Sequence, residues 1–174
     1  MKKWAVLIIA IILMVALTGC GGGEPVKEST VKKPSTGKIP YVKFQVIKKQ
    51  FKQLNDMFIF DPVNDEIISA MAKPEEFKGD RGVQLEANLK IHETKLVAAK
   101  RFFDKKSDNP KETKYNQLIL QAIDKKTQAY AYALNYLKSK DMADRNFFVN
   151  TNSEAVVLVE QAEEILADME ADVE

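Results

Sequence analysis

Residues 85–103 read LEANLKIHETKLVAAKRFF, and this stretch decides the fold. Its apolar residues, together with one histidine, recur at alternating steps of four and three; they are Leu85, Leu89, His92, Leu96, Ala99 and Phe103. Such steps place side chains on one face of an α-helix, whereas a half-buried strand alternates at every second residue. The stretch therefore predicts an amphipathic helix that is buried along this stripe.

Three further segments show the same periodicity. The first stripe consists of Phe44, Ile47, Phe51, Leu54 and Phe58, and the pattern resumes at Ile67, Ile68 and Met71. The second, between residues 110 and 140, consists of Tyr115, Leu118, Ile119, Ala122, Ile123, Tyr130, Ala133, Leu134 and Leu137. The last consists of Ala155, Leu158, Ala162, Ile165 and Met169. Strand-like alternation is almost absent, and so we predict an all-α fold.

Prolines and turn-forming residues mark the ends of these helices. Asp61-Pro62 is expected to kink or restart the first helix, because proline lacks the amide donor. Ser107-Asp108-Asn109-Pro110 is a break that places proline at the start of the next helix. The last helix begins either at Asp141 or after Asn150-Thr151-Asn152, since these residue types favour caps and turns. Short connections make neighbours antiparallel, which predicts an up-down four-helix bundle over residues 39–174.

The N-terminus has the layout of an export signal. Met1-Lys2-Lys3 is followed by 14 consecutive apolar residues, from Trp4 to Leu17. A basic start and an apolar stretch of about 7–15 residues are typical of a secretory signal peptide, whereas a membrane span needs about 20. We therefore predict a cleaved signal peptide over residues 1–19.

Leu17-Thr18-Gly19-Cys20 resembles the bacterial lipobox, with its order of aliphatic, small, small and cysteine. The resemblance implies transfer of diacylglyceryl to the Cys20 sulfur and cleavage between Gly19 and Cys20. Two acyl chains, at about 0.8 kcal/mol per buried methylene, are enough for stable anchoring. We expect a Gram-positive-type lipoprotein, with palmitate-like chains on Cys20, on the extracytoplasmic face of the cell membrane.

Residues 20–38 form a linker between this anchor and the bundle. After the cysteine they read GGGEPVKESTVKKPSTGK, in which only two valines are able to join a core. Such a composition cannot recover the entropy of ordering by burial. We expect a plain spacer of about 25 Å as a coil and roughly 60 Å at full extension. Contact with wall polymer is the alternative interpretation.

The charge balance argues against nucleic-acid binding. The chain has 26 Lys and Arg against 25 Asp and Glu, and loss of Lys2 and Lys3 with the signal leaves 24 basic residues. A nearly neutral chain does not predict the basic surface that binding to phosphate backbones requires.

No set of residues predicts catalysis or metal binding. His92 is the only histidine, and a nucleophilic triad would have to use it without a Gly-x-Ser-x-Gly turn. A di-metal site in a four-helix bundle needs Glu-x-x-His pairs on two helices, but the residue three before His92 is Leu89. The many carboxylates, among them Glu160, Glu163 and Glu164, are typical of a solvated face. We therefore predict a protein that is not an enzyme, with no cofactor and no metal.

Aromatic residues give the one indication of a binding surface. Tyr132 and Tyr136 are four residues apart and lie off the main stripe of their helix. Phe102-Phe103 and Phe147-Phe148 are adjacent pairs, and adjacent residues cannot share one helix direction. Exposed aromatic residues mark partner surfaces, and so Tyr132 and Tyr136 are candidates for one. The alternative is a second apolar row that packs inside the bundle.

Beyond the lipobox, the helical pattern is similar to that of small helical lipoproteins of unknown function in Gram-positive bacteria. An anchor, a spacer and a bundle without a catalytic set favour an interaction module for a protein or a cell-envelope partner. The alternative function is a ligand or metal carrier that uses the bundle core around His92.

Overall fold

The computed structural model describes residues 37–60 and 62–174. The predicted signal peptide, the lipobox, residues 21–36 of the linker and Asp61 lie outside the described residues. The described part contains five α-helices: α1 (Tyr41–Ile59), α2 (Pro62–Ala72), α3 (Asp80–Phe103), α4 (Pro110–Ser139) and α5 (Met142–Met169). Two short 3-10 helices, Pro74–Phe77 and Glu170–Asp172, complete it.

The predicted all-α helical bundle is confirmed, with α1 and α2 together forming its first arm. The helix restarts at Pro62, as the sequence predicts. Within residues 37–60 and 62–174 there is no strand, and a single β-type bridge pairs Ile39 with Val173. No helix in this part of the chain is long and apolar enough to cross a membrane.

Small residues line the seam between α4 and α5, which form the most extensive helix pair of the bundle. The fully buried alanines are Ala122, Ala129 and Ala133 on α4, and Ala155 and Ala162 on α5. Because an alanine side chain is a single methyl group, the two helix axes are able to approach closely. This pair forms the tightly packed half of the bundle.

A two-residue turn joins α4 to α5. Lys140 adopts a left-handed conformation, with φ of 58°, and its amide donates to Tyr136 O at 2.8 Å. The Asp141 carboxylate accepts a hydrogen bond from the Ala143 amide at 2.9 Å and so caps α5. The last helix therefore begins directly after Asp141, the first of the two predicted positions. Asn150-Thr151-Asn152 lies inside the helix.

α1 packs through aromatic side chains in place of alanine. Its predicted stripe is confirmed, since Phe44, Ile47, Phe51, Leu54 and Phe58 are all buried. Because phenylalanine is much larger than alanine, α1 lies farther from its neighbours than α4 lies from α5. Open grooves therefore flank α1, one towards α5 and one towards α3.

The buried rows of α4 and α5 differ in part from the predicted ones. In α5, Val159 and Leu166 are buried, whereas Leu158 and Ile165 are only partly buried. In α4 the partly buried members of the predicted stripe are Leu118, Leu134 and Leu137. The reason is the alanine seam: the small residues face the partner helix, and the leucines beside them are turned to the flank.

The beginning and the end of the described domain meet at one end of the bundle. The Ile39 amide donates to Asp172 O at 2.9 Å, and the Glu174 amide donates to Ile39 O at 3.1 Å. The side chain of Asn109, which caps α4, donates to Gly37 O at 2.8 Å. The chain therefore enters the bundle at a position fixed beside the last turn of α5.

Candidate functional site

A buried lysine lies at the centre of the bundle. Lys126 projects from α4 and has no exposed surface, although lysine is almost never fully buried unless it is paired. Its Nζ donates to Asn64 Oδ1 at 2.7 Å and to Asn152 Oδ1 at 2.6 Å. The Phe58 and Tyr130 ring centroids lie 5.6 and 5.3 Å from Nζ, within the range of cation–π contacts.

These five residues, the Lys126 cluster, connect four helices. Phe58 lies near the end of α1, Asn64 belongs to α2, and Asn152 belongs to α5. The Asn64 side chain also donates to Phe58 O at 3.2 Å, which satisfies a carbonyl next to the break between α1 and α2. Because the ammonium is sealed from solvent, the cluster fixes the helix arrangement and offers no surface to a ligand.

The apolar periodicity of α4 did not predict the burial of Lys126, because a lysine does not count towards an apolar stripe. It nevertheless stands four residues after Ala122 and three before Ala129, on the row that is buried in the structure. The signal that could have predicted this burial was a lysine at a position of the helix where the flanking residues of the same row are apolar, together with asparagines on other helices as partners.

The predicted partner surface at Tyr132 and Tyr136 is wrong for Tyr136. Tyr136 is only 4% exposed, and its hydroxyl donates to Met71 O at 3.2 Å. Tyr132 is half-buried, and its ring centroid lies 5.2 Å from that of Phe147 on α5. α4 packs against α3 on one side and α5 on the other, and so a second row of its side chains is buried. The alternative interpretation, a second row inside the bundle, applies to Tyr136.

The adjacent phenylalanines divide as predicted. Phe103 and Phe148 are buried, whereas Phe147 is 52% exposed and Phe102 is half-buried beside the groove between α1 and α3. Phe147 therefore keeps one exposed aromatic edge next to Tyr132.

His92 lies half-buried on α3, between the buried Leu89 and Leu96. Within the described part of the chain, no group of three or more His, Cys, Asp or Glu side chains is arranged to hold a metal ion. The structure therefore does not bring His92 together with a set of carboxylates.

A groove of about 610 Å³ separates α1 from α5 and is called here the α1–α5 groove. Phe44, Phe51 and Leu166 form its apolar floor. Its α1 wall carries Lys48, Lys49 and Lys52. The opposite wall carries Glu163 and Ala167 of α5 and Glu170 of the 3-10 helix that follows. The volume lies within the roughly 300–1,000 Å³ of small-molecule sites. The groove thus combines an apolar floor with one basic wall and one acidic wall.

Only part of this charge is paired within the groove. Lys48 Nζ lies 3.4 Å from Glu170 Oε1, which shows that the two walls are close enough for one small group to contact both. Among the described residues, neither Lys49 nor Lys52 has a carboxylate within ion-pair distance. Asn55 lines the same groove, and its buried Oδ1 accepts no hydrogen bond from any described residue. The groove therefore presents two cations to an incoming molecule, whereas the Asn55 oxygen lies beneath its surface.

The residues of the α1–α5 groove were not predicted as a site from the sequence. Glu163 was assigned to a solvated face, and the lysines of α1 were not considered beside the aromatic stripe that they flank. Compared with known proteins, the chain matches no protein-family model, no curated protein and no solved structure. The groove and the Lys126 cluster are therefore interpreted from their own geometry.

Replacement of Lys126 by alanine is expected to lower the free energy of unfolding by about 2–5 kcal/mol, because it leaves a cavity and deprives the Asn64 and Asn152 amide oxygens of their donor. Lys126→Met, which keeps the length of the side chain, should lose less. Lys125→Ala serves as the control, since this partly exposed neighbour makes a surface ion pair with Glu154. Urea titration measures all three, and equal losses at positions 125 and 126 would contradict the structural role of the cluster.

Two tyrosines of α4 should respond differently to removal of their hydroxyl groups. Tyr136→Phe loses the hydrogen bond to Met71 O and should destabilise the protein by about 1 kcal/mol. The Tyr115 hydroxyl is buried without a hydrogen-bond partner among the described residues, and this burial raises the pKa of the phenol well above its usual value. Tyr115→Phe should therefore be neutral or stabilise by about 1 kcal/mol. Thermal unfolding of both variants is the test, and a loss at Tyr115 as large as that at Tyr136 would contradict the prediction.

Proposed function

We propose that this protein is a lipid-anchored, extracytoplasmic interaction module, without enzymatic activity, that receives a protein or cell-envelope partner in the α1–α5 groove. The observation that carries the proposal is the α1–α5 groove, with its apolar floor and two lysines that have no ion-pair partner among the described residues. Binding sites are typically apolar concavities with a few convergent polar groups. The sequence Leu17-Thr18-Gly19-Cys20 supports the anchor.

The position of the groove supports a role close to the membrane. Ile39 is held beside Asp172 at one end of the bundle, and Phe44 and Glu170 lie near the same end. Lys52 is 13 residues after Ile39, or about 20 Å at 1.5 Å per helical residue. An anchor on Cys20 would lie at most roughly 60 Å from Ile39 along the chain. The groove is therefore at the end of the bundle from which the linker leads to the proposed anchor.

The alternative, a ligand or metal carrier around His92, draws support from the half-buried position of this histidine on the α3 stripe. It predicts that the purified protein carries a bound species and that His92→Ala releases it. Native mass spectrometry combined with elemental analysis tests this prediction. An empty wild-type protein would remove the carrier from consideration.

The interaction module is tested by cross-linking the intact lipoprotein in its own membranes. Cys20→Ala should release the protein from the membrane fraction and abolish the cross-link. Ala167→Trp should abolish the cross-link as well, because a large side chain fills the groove from its exposed α5 wall. The protein should otherwise stay folded and membrane-bound.

Ala143→Trp is the matched control, since Ala143 is an exposed alanine of the same helix outside the groove. A partner that is kept by Ala143→Trp and lost by Ala167→Trp supports the proposed site. A partner that both variants retain would place the interaction elsewhere, and a Cys20→Ala protein that stays in the membrane fraction would contradict the anchor.

A further inference from the structure

The floor of the α1–α5 groove suits the apolar part of an amphiphile. Phe44 and Phe51 lie two turns apart on α1, and Leu166 faces them from α5. The alkyl portions of Lys48 and Lys52 extend this apolar surface, since lysine buries its methylenes while its ammonium stays in water. A chain laid along this floor would be held by burial of apolar area, without the need for specific polar contacts.

The basic wall calls for an anionic group. Lys49 and Lys52 are three residues apart on one helix, and both are exposed and free of ion pairs among the described residues. Residues three apart on a helix are neighbours, and so their ammonium groups are able to contact one anion together. Phosphate fits such a pair because its several oxygens accept charge-assisted hydrogen bonds from more than one donor.

The acidic wall argues against a ligand that is only anionic. Glu163 and Glu170 stand opposite the lysines, and a lone phosphate between the walls would be repelled by these carboxylates. A ligand that also carries an ammonium avoids this repulsion and pairs with Glu163. Both walls and the floor are therefore satisfied by one zwitterionic amphiphile.

We infer that the α1–α5 groove binds a zwitterionic phospholipid of the phosphoethanolamine class. The phosphate contacts Lys49 and Lys52, the ammonium contacts Glu163, and the acyl portion lies on Phe44, Phe51 and Leu166. The inference rests on the proposed function, because it names a membrane lipid as the envelope partner of the same groove. A linker from the proposed Cys20 anchor would allow the groove to approach lipid headgroups.

The test is native mass spectrometry of the intact lipoprotein in detergent. Lysophosphatidylethanolamine and lysophosphatidylglycerol of equal chain length are added together at equal concentration, and the bound forms are counted. The zwitterionic probe should be bound about ten-fold more than the anionic one, the ratio that corresponds to 1.4 kcal/mol. Equal binding, or a preference for the anionic probe, would overturn the inference.

Charge variants of opposite sign sharpen the test. The double variant Lys49→Gln/Lys52→Gln should lower binding of both probes about ten-fold. Glu163→Gln should lower binding of the zwitterionic probe and raise binding of the anionic one. General electrostatic attraction does not predict these opposite changes in affinity. Glu164→Gln is the control for Glu163, since it removes the same charge from the adjacent exposed residue, which does not line the groove. All these positions are exposed, so thermal unfolding should be unchanged.

The outcomes of the lipid-binding and cross-linking experiments distinguish failure of the lipid inference from failure of the proposed function. If Ala167→Trp abolishes a protein cross-link while neither lysolipid binds, the interaction module stands and the lipid inference is wrong. If the zwitterionic probe binds with the predicted pattern while Cys20→Ala stays in the membrane fraction, the lipid site stands and the anchor is wrong.

Discussion

The close approach of α4 and α5 is the constraint on which the rest of the structure depends. Alanines at Ala122, Ala129, Ala133, Ala155 and Ala162 leave no room for any other element between these helices, and the two-residue turn at Lys140 and Asp141 fixes their register. A seam of methyl groups buries little apolar area per residue, and so it stabilises the helix pair mainly through dense packing. The remaining helices must cover the outer surfaces of this pair, where larger side chains are required.

The difference between the small side chains of the α4–α5 seam and the large side chains of the other helices has two consequences. Lys126 lies on α4, and its ammonium donates hydrogen bonds to the side-chain amides of Asn64 on α2 and Asn152 on α5. These bonds connect α2, at the break between α1 and α2, to the α4–α5 pair. α1, in contrast, is held at the distance set by Phe44, Phe51 and Phe58, and open space remains at its sides. The same bundle therefore has a sealed polar interior and an open amphiphilic groove. The Lys126 cluster is closed to other molecules, whereas the α1–α5 groove is open to them.

Much of this fold could be predicted from the sequence, because periodicity and proline are local signals. The stripe of α1, the restart at Pro62 and the break before Pro110 needed no knowledge of neighbours. The burial of Tyr136 and Lys126 could not be obtained in this way, since both depend on which helices flank α4. The groove is less predictable still. Its width is a difference between the sizes of side chains on separate helices, and its charges become a pair of walls only when residues 48–52 and 163–170 face each other.

The hydrogen bonds between Ile39 and residues 172–174 have a mechanical meaning. In the proposed lipoprotein, a pull from the Cys20 anchor would reach the domain at Gly37, and the nearby Ile39 is bonded to the opposite terminus of the domain. Ile39 exchanges backbone hydrogen bonds with Asp172 and Glu174, and Asn109 holds Gly37 from the α3–α4 connection. Tension arriving at Gly37 is thus shared between the ends of α5 and α4 before it reaches the first turn of α1. The bundle would bear a load as a unit and would not be unwound from its N-terminal helix.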